Sequence, residues 1–77
     1  MTELQVKLRL DFLLERLNIF DKFNVYLDEC IHVESPLGYS CFNIERLNNL
    51  LDIYDNIKDN RTVFNDFMEK LYVGGLQ

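Results

Sequence analysis

The sequence has no alanine and no tryptophan, a single proline (Pro36) and only three glycines. Without alanine, few places allow two backbones to approach closely across small side chains, so large interdigitating residues are expected at the helix contacts. No internal repeat, low-complexity tract or linker is present. Punctuation is confined to Ser35-Pro36-Leu37-Gly38, Asp59-Asn60-Arg61 and Gly74-Gly75.

Basic charge is also scarce. Eight Lys and Arg are scattered against thirteen Asp and Glu, for a net charge of −5. Groove binding to nucleic acid is driven by counterion release at phosphates and needs a basic stripe. Its absence argues against direct nucleic-acid binding and against attraction to an anionic membrane surface. No apolar run approaches the ~18 residues of a membrane span. The start MTELQVKLRLDF lacks a basic region followed by a continuous apolar stretch, so no secretory signal is expected. Two cysteines without such a signal point to a reducing, cytoplasmic setting.

Motifs that announce chemistry are missing too. There is no GxxxxGK[ST], no GxGxxG and no EF-hand loop. The acids between Asp52 and Asp59 lack the central glycine and terminal glutamate of a calcium loop. A nucleophile with its base needs a third orienting group and an oxyanion hole. His32 beside Ser35, Ser40 or Cys41 offers neither, and Asp28-Glu29 point apart as sequence neighbours. The chain is therefore not expected to be an enzyme or to need a cofactor.

What is present is apolar material: 48% of residues are hydrophobic and 13% aromatic. That is ample for one folded domain spanning residues 1–77. So small a domain buries only ~60% of its unfolded surface, and oligomerisation is one of its usual supports.

The expected fold is mostly α (α+β): a long N-terminal helix, a short β-hairpin and an antiparallel C-terminal helix pair. The alternative is a small all-α bundle. Thr2 and Gln5 fit a capping box, and Glu3–Lys7 is a favourable i,i+4 pair. A helix is expected from about residue 3 to about residue 21, although Leu4, Val6, Leu8, Leu10 and Phe12 also alternate like a strand. One helix face carries Val6, Leu10, Leu13, Leu14, Leu17 and Phe20. The other carries Leu4, Leu8, Phe12, Ile19 and Phe23.

Residues 24–42 read as a hairpin, with Val25, Tyr26, Ile31 and Val33 favouring strand and Ser35–Gly38 matching a type I turn. That register sets His32 near Cys41. The competing pattern is a helix over residues 21–31 with Phe23, Leu27, Cys30 and Ile31 inward. Asn43 then caps a helix with Ile44, Leu47, Leu50, Leu51, Tyr54 and Ile57 inward. A last helix, from about Thr62 to Tyr72, is capped by Thr62 or Asn60. It buries Val63, Phe64, Phe67, Met68 and Leu71 and stops at Gly74.

Three clusters invite a functional reading. Glu45, Asn48, Asn49, Asp52, Asp55, Asn56 and Asp59 line one side of the third segment without Lys or Arg among them. Glu45, Asn48, Asn49, Asp52, Asp55 and Asp59 are the expected partner-binding residues, though charge runs often only solvate a face. Leu4, Leu8, Phe12 and Ile19 are the expected self-association residues of a two-faced helix. Cys30, His32 and Cys41 offer three ligand types, but C-x-H with one later Cys lacks the four-ligand spacing of a structural zinc site. No metal is expected there, and the thiols read as small buried apolar groups. The functional expectation is a small acidic regulator or inhibitor that docks its acidic helix face on a partner protein with a basic surface. The alternative is a structural or assembly subunit that homodimerises through its N-terminal helix.

Overall fold

The computed structural model describes residues 2–76. Helix α1 spans Glu3–Arg16. Thr2 opens it as expected: Thr2 Oγ1 accepts from the Gln5 N–H (3.2 Å), and Gln5 Oε1 accepts from the Thr2 N–H (2.8 Å). The helix ends well before residue 21. Asn18 adopts φ 60°, a left-handed conformation that Asn tolerates better than most residues. The Ile19 N–H then donates to Leu14 O and the Asn18 N–H to Glu15 O, both at 3.0 Å. These paired bonds are a Schellman stop with Asn in the usual glycine position. A single 3-10 turn over Phe20–Lys22 follows.

The sheet has one strand more than a hairpin. Strands β1 (Asn24–Asp28), β2 (Cys30–Ser35) and β3 (Gly38–Phe42) form an antiparallel meander in the order β1-β2-β3. No α-helix forms over residues 21–31, and the sheet disfavours the all-α bundle. Only Glu29 separates β1 from β2, at φ 61°. For a residue with a Cβ that conformation costs roughly 1–2 kcal/mol. The β2–β3 turn follows the sequence more closely. Ser35 Oγ accepts from the Leu37 N–H (3.2 Å) and donates to Gly38 O (3.3 Å), while Gly38 takes the positive φ that the turn requires.

Helix α2 spans Ile44–Asp55, with Asn43 Oδ1 accepting from the Arg46 N–H (3.0 Å). Helix α3 spans Asn60–Tyr72. Its cap is Asp59 rather than Thr62 or Asn60, since Asp59 accepts from the Arg61 N–H (3.1 Å) and from Thr62 Oγ1 (2.8 Å). A carboxylate at this end also meets the positive pole of the helix dipole.

Period-2 burial in the strands and period-3.6 burial in the helices meet in one core. Val6, Leu10, Leu13 and Leu14 of α1 share it with Ile31, Val33 and Phe42 of the sheet. Leu47, Leu50, Leu51 and Tyr54 of α2 join Val63, Phe67 and Leu71 of α3. Tyr54 meets Phe67 edge-on, and its hydroxyl donates to Asp66 (2.6 Å). Burial first, and that bond second, push the Tyr54 phenol well above its ordinary range. Phe20 and Phe64, expected inside, are exposed at the rim, and Leu17, Ile19 and Phe23 are partly buried against the core.

Gly74 closes α3 at positive φ, and the chain then turns along β3. The Cys41 N–H donates to Gly74 O (2.9 Å), and the Asn43 N–H donates to Leu76 O. The tail therefore covers the open edge of the sheet, which would otherwise present unpaired backbone groups. Gly75 passes so close that a Cβ there would stand 2.2 Å from the Cys41 carbonyl oxygen. Gln77 lies outside the described residues.

Candidate functional site

Side chains of alternate strand residues turn away from the helices and share one outer face. Tyr26 of β1, Cys30, His32 and Glu34 of β2, and Tyr39 and Cys41 of β3 stand on it. His32 is opposite Cys41, as the turn register implies, and Cys30 is two residues from His32 on the same strand. Neither thiol is buried; each is half-exposed on this polar face, against the expectation of two core thiols. One ligand atom from each of Cys30, His32 and Cys41 lies within 4.8 Å of the others.

The imidazole is held from several sides. Tyr26 stacks on it with ring centroids 4.7 Å apart and planes 12° from parallel. Nδ1 is bonded to the Tyr39 hydroxyl. Nε2 lies 3.0 Å from the Asp28 carbonyl and 3.5 Å from Cys30 Sγ. A carbonyl only accepts, so Nε2 carries the proton here and Nδ1 accepts from Tyr39. The Cys30 thiol is pushed up to about 11, first by the neighbouring Cys41 thiol, then by desolvation and by the charges of Asp28 and Glu29. Beside the cluster lies a surface cleft of about 380 Å3, lined by Cys30, Tyr39, Cys41 and Asn43.

The acidic side of α2 is partly engaged within the molecule. Arg9 of α1 pairs with Asp52 (2.9 Å) and Asp55 (2.7 Å) and donates to Asn48 Oδ1 (2.5 Å). Partial burial disfavours the Arg9 charge, but the bonds and charges of Asp55 and Asp52 outweigh it and raise its pKa. Asp59 serves as the α3 cap. Glu45 and Asn49 are exposed, and the Asp52 and Asp55 side chains remain 63% and 70% exposed. Arg16 closes the C-terminal end of α2, donating to Tyr54 O (3.2 Å), Ile57 O (2.5 Å) and Asn60 Oδ1 (2.7 Å). It supplies the cation that the last turn of α2 lacks.

The outer side of α1 is apolar and uncovered. Leu4 is 58% exposed, Leu8 46% and Phe12 71%. Ile19 does not belong to this row, because the Schellman stop turns it into the core. Phe20 takes its place at the end of the row, and a cleft of about 210 Å3 runs between Leu8, Asp11, Phe12, Glu15 and Phe20. Asp11 pairs with Lys7 through Oδ2 (2.8 Å), while its Oδ1 is buried without a hydrogen-bond partner among the described residues.

No protein-family model, curated protein or solved structure matches the chain. Among the described residues, no helix is long and apolar enough to cross a membrane.

Proposed function

We propose that the chain is a small non-enzymatic interaction module that self-associates through the outer face of α1, acting as a structural or assembly subunit. The observation behind this reading is the exposed row Leu4, Leu8 and Phe12 opposite the fully packed row of the same helix. Residues four apart form a ridge that packs against the same ridge of a second helix. A two-fold axis at Leu8 sets Leu8 on its own copy and Leu4 against Phe12 of the second copy. An antiparallel pairing of this kind uses one self-complementary patch. Lys7 and Asp11 flank the ridge on one edge, so the same axis brings unlike charges together across the contact.

The test is size-exclusion chromatography with light scattering over a range of concentrations, at low and high salt. A dimer at both salts, reduced to monomer by Leu8→Glu or Phe12→Glu with an unchanged circular dichroism melt, supports the reading. A monomer at every concentration contradicts it.

A second reading keeps the acidic face of α2 as a regulator's or inhibitor's docking surface for a basic protein. It is favoured by the exposure that Asp52 and Asp55 retain beside Arg9. Contact made this way weakens with salt, because exposed charges are screened. Salt-dependent capture of a single partner, abolished by Asp52→Lys with Asp55→Lys, supports this second reading. Capture that ignores salt and both substitutions removes it.

A further inference from the structure

We propose that Cys30, His32 and Cys41 form a three-ligand site for a thiophilic divalent metal ion, Zn2+ above all, on the outer face of the sheet. The ligand atoms come from two adjacent strands locked in register, not from a local loop motif. The β2–β3 ladder places His32 opposite Cys41, and the two-residue strand period returns Cys30 to the same face. All three ligand atoms lie within 4.8 Å of one another. Bonds of about 2.3 Å to sulfur and 2.0–2.1 Å to nitrogen in a tetrahedron put ligand atoms roughly 3.5–3.8 Å apart. The Cys30 Sγ to His32 Nε2 separation, 3.5 Å, already has that length. The remaining closure needs rotation of the half-exposed cysteine side chains and replacement of the Nε2–H bond to the Asp28 carbonyl by the metal.

The surroundings are those of a held ligand set. A metal-bound imidazole usually has its second nitrogen fixed by a hydrogen bond, which sets tautomer and ring orientation. Tyr39 fills that role at Nδ1, and Tyr26 stacks on the ring. Cys41 is anchored through its backbone N–H to Gly74 O. Two thiolates and one imidazole select a soft or borderline ion over magnesium or calcium, whose ligands are oxygens.

The protons balance as follows. Each thiol gives up its proton to solvent, and the imidazole proton passes from Nε2 to Nδ1, where it is donated to Tyr39 Oη. One divalent ion thus replaces two protons, and the centre is neutral. No further His, Cys, Asp or Glu joins the cluster among the described residues. The fourth position of a tetrahedral ion is therefore left to water or to a donor from another molecule. Sites with three protein ligands and one open position differ in this from closed structural zinc sites.

The experiment is titration of the full chain with Co2+ under a non-thiol reductant, followed by displacement with Zn2+. The expected result is one equivalent bound, with intense visible bands of tetrahedral cobalt and a near-ultraviolet thiolate-to-cobalt band, all bleached by Zn2+. Cys30→Ser and Cys41→Ser should each weaken the thiolate band and lower affinity at least tenfold. His32→Gln should shift the visible bands. These side chains lie outside the core, so the variants are checked for an unchanged circular dichroism melt. A featureless titration, or bands that survive both cysteine substitutions, overturns the proposal.

Discussion

His32 and Cys41 stand directly opposite each other in the β2–β3 ladder, and the C-terminal tail fixes Cys41 from the far side through the bond of its N–H to Gly74 O (2.9 Å). A residue pair given by a four-residue turn is thereby tied to the last helix of the chain.

Tyr39→Phe removes the oxygen that holds His32 Nδ1 while leaving an exposed aromatic ring in place. Loss of such an outer partner typically lowers metal affinity about 10–100-fold. Competition titration against a metallochromic indicator should show that loss for Co2+ and Zn2+, with the thermal midpoint of the metal-free protein nearly unchanged. Equal affinity in the two proteins would show that Tyr39 does not orient the imidazole.

Gly75→Ala is expected to dislodge the tail. Its Cβ would meet the Cys41 carbonyl oxygen at 2.2 Å, and the residue sits at φ +99°. Two hydrogen bonds are lost with the tail, at about 1 kcal/mol each. Urea denaturation should therefore show a loss of about 2 kcal/mol or more, with faster hydrogen exchange at the Cys41 and Asn43 amides. Gly74→Ala has φ +95° but open space around the Cβ, and should cost only about 1 kcal/mol. Equal losses in the two variants would mean that the close approach to β3 is unimportant.

Arg9→Met leaves Asp52 and Asp55 without their shared cation. Both carboxylates are well exposed, so solvent screening limits the loss to about 1 kcal/mol. The sign of the salt effect is the sharper readout. Salt weakens the attraction in the parent chain, but in the variant it screens carboxylate repulsion. Added sodium chloride should thus raise the stability of the variant relative to the parent, and a parallel response in both proteins would contradict this.

Asp59 gives an acid limb to the stability of α3. Hydrogen bonds from Thr62 and then Arg61 hold its carboxyl below the ordinary 3.8. A folded-state value below the unfolded one contributes stability that is present above the unfolded value and lost as pH falls through the folded value. The fall should therefore be confined to pH below about 4. Asp59→Asn, which keeps a capping oxygen, should flatten that limb in urea melts run against pH. An unaltered limb would assign the acid sensitivity elsewhere.

Local signals in the sequence were enough for the helix ends at Thr2, Asn43 and Gly74, because each cap acts within one turn of its own residue. The end of α1 was hidden because Leu17, Ile19, Phe20 and Phe23 prolong the apolar pattern past Asn18, and Asn is a weaker stop signal than glycine. The β1–β2 turn was hidden because Glu29 is not a turn residue and its positive φ is imposed by the strands on either side. Within α1 the inner row Val6, Leu10, Leu13 and Leu14 and the outer row Leu4, Leu8 and Phe12 were legible from spacing, while beyond Arg16 the expected sides of Ile19, Phe20 and Phe23 are reversed. Arg9 reaching Asp52 was not legible, since that contact depends on how two helices pack. The approach of His32 to Cys41 was legible from the Ser35–Gly38 turn, whereas zinc spacing rules, which describe loops, give no reason to expect a metal where the β2–β3 register brings Cys30, His32 and Cys41 together.

X-ray absorption at the zinc edge of the zinc-loaded chain probes the Cys30–His32–Cys41 centre most directly. The expected first shell has two sulfurs at about 2.3 Å and one imidazole nitrogen at about 2.0–2.1 Å, with one further light-atom ligand. Cys41→Ser should remove one of the two sulfurs. A shell of oxygen and nitrogen alone, or a sulfur count unmoved by Cys41→Ser, would contradict a metal centre built on this sheet.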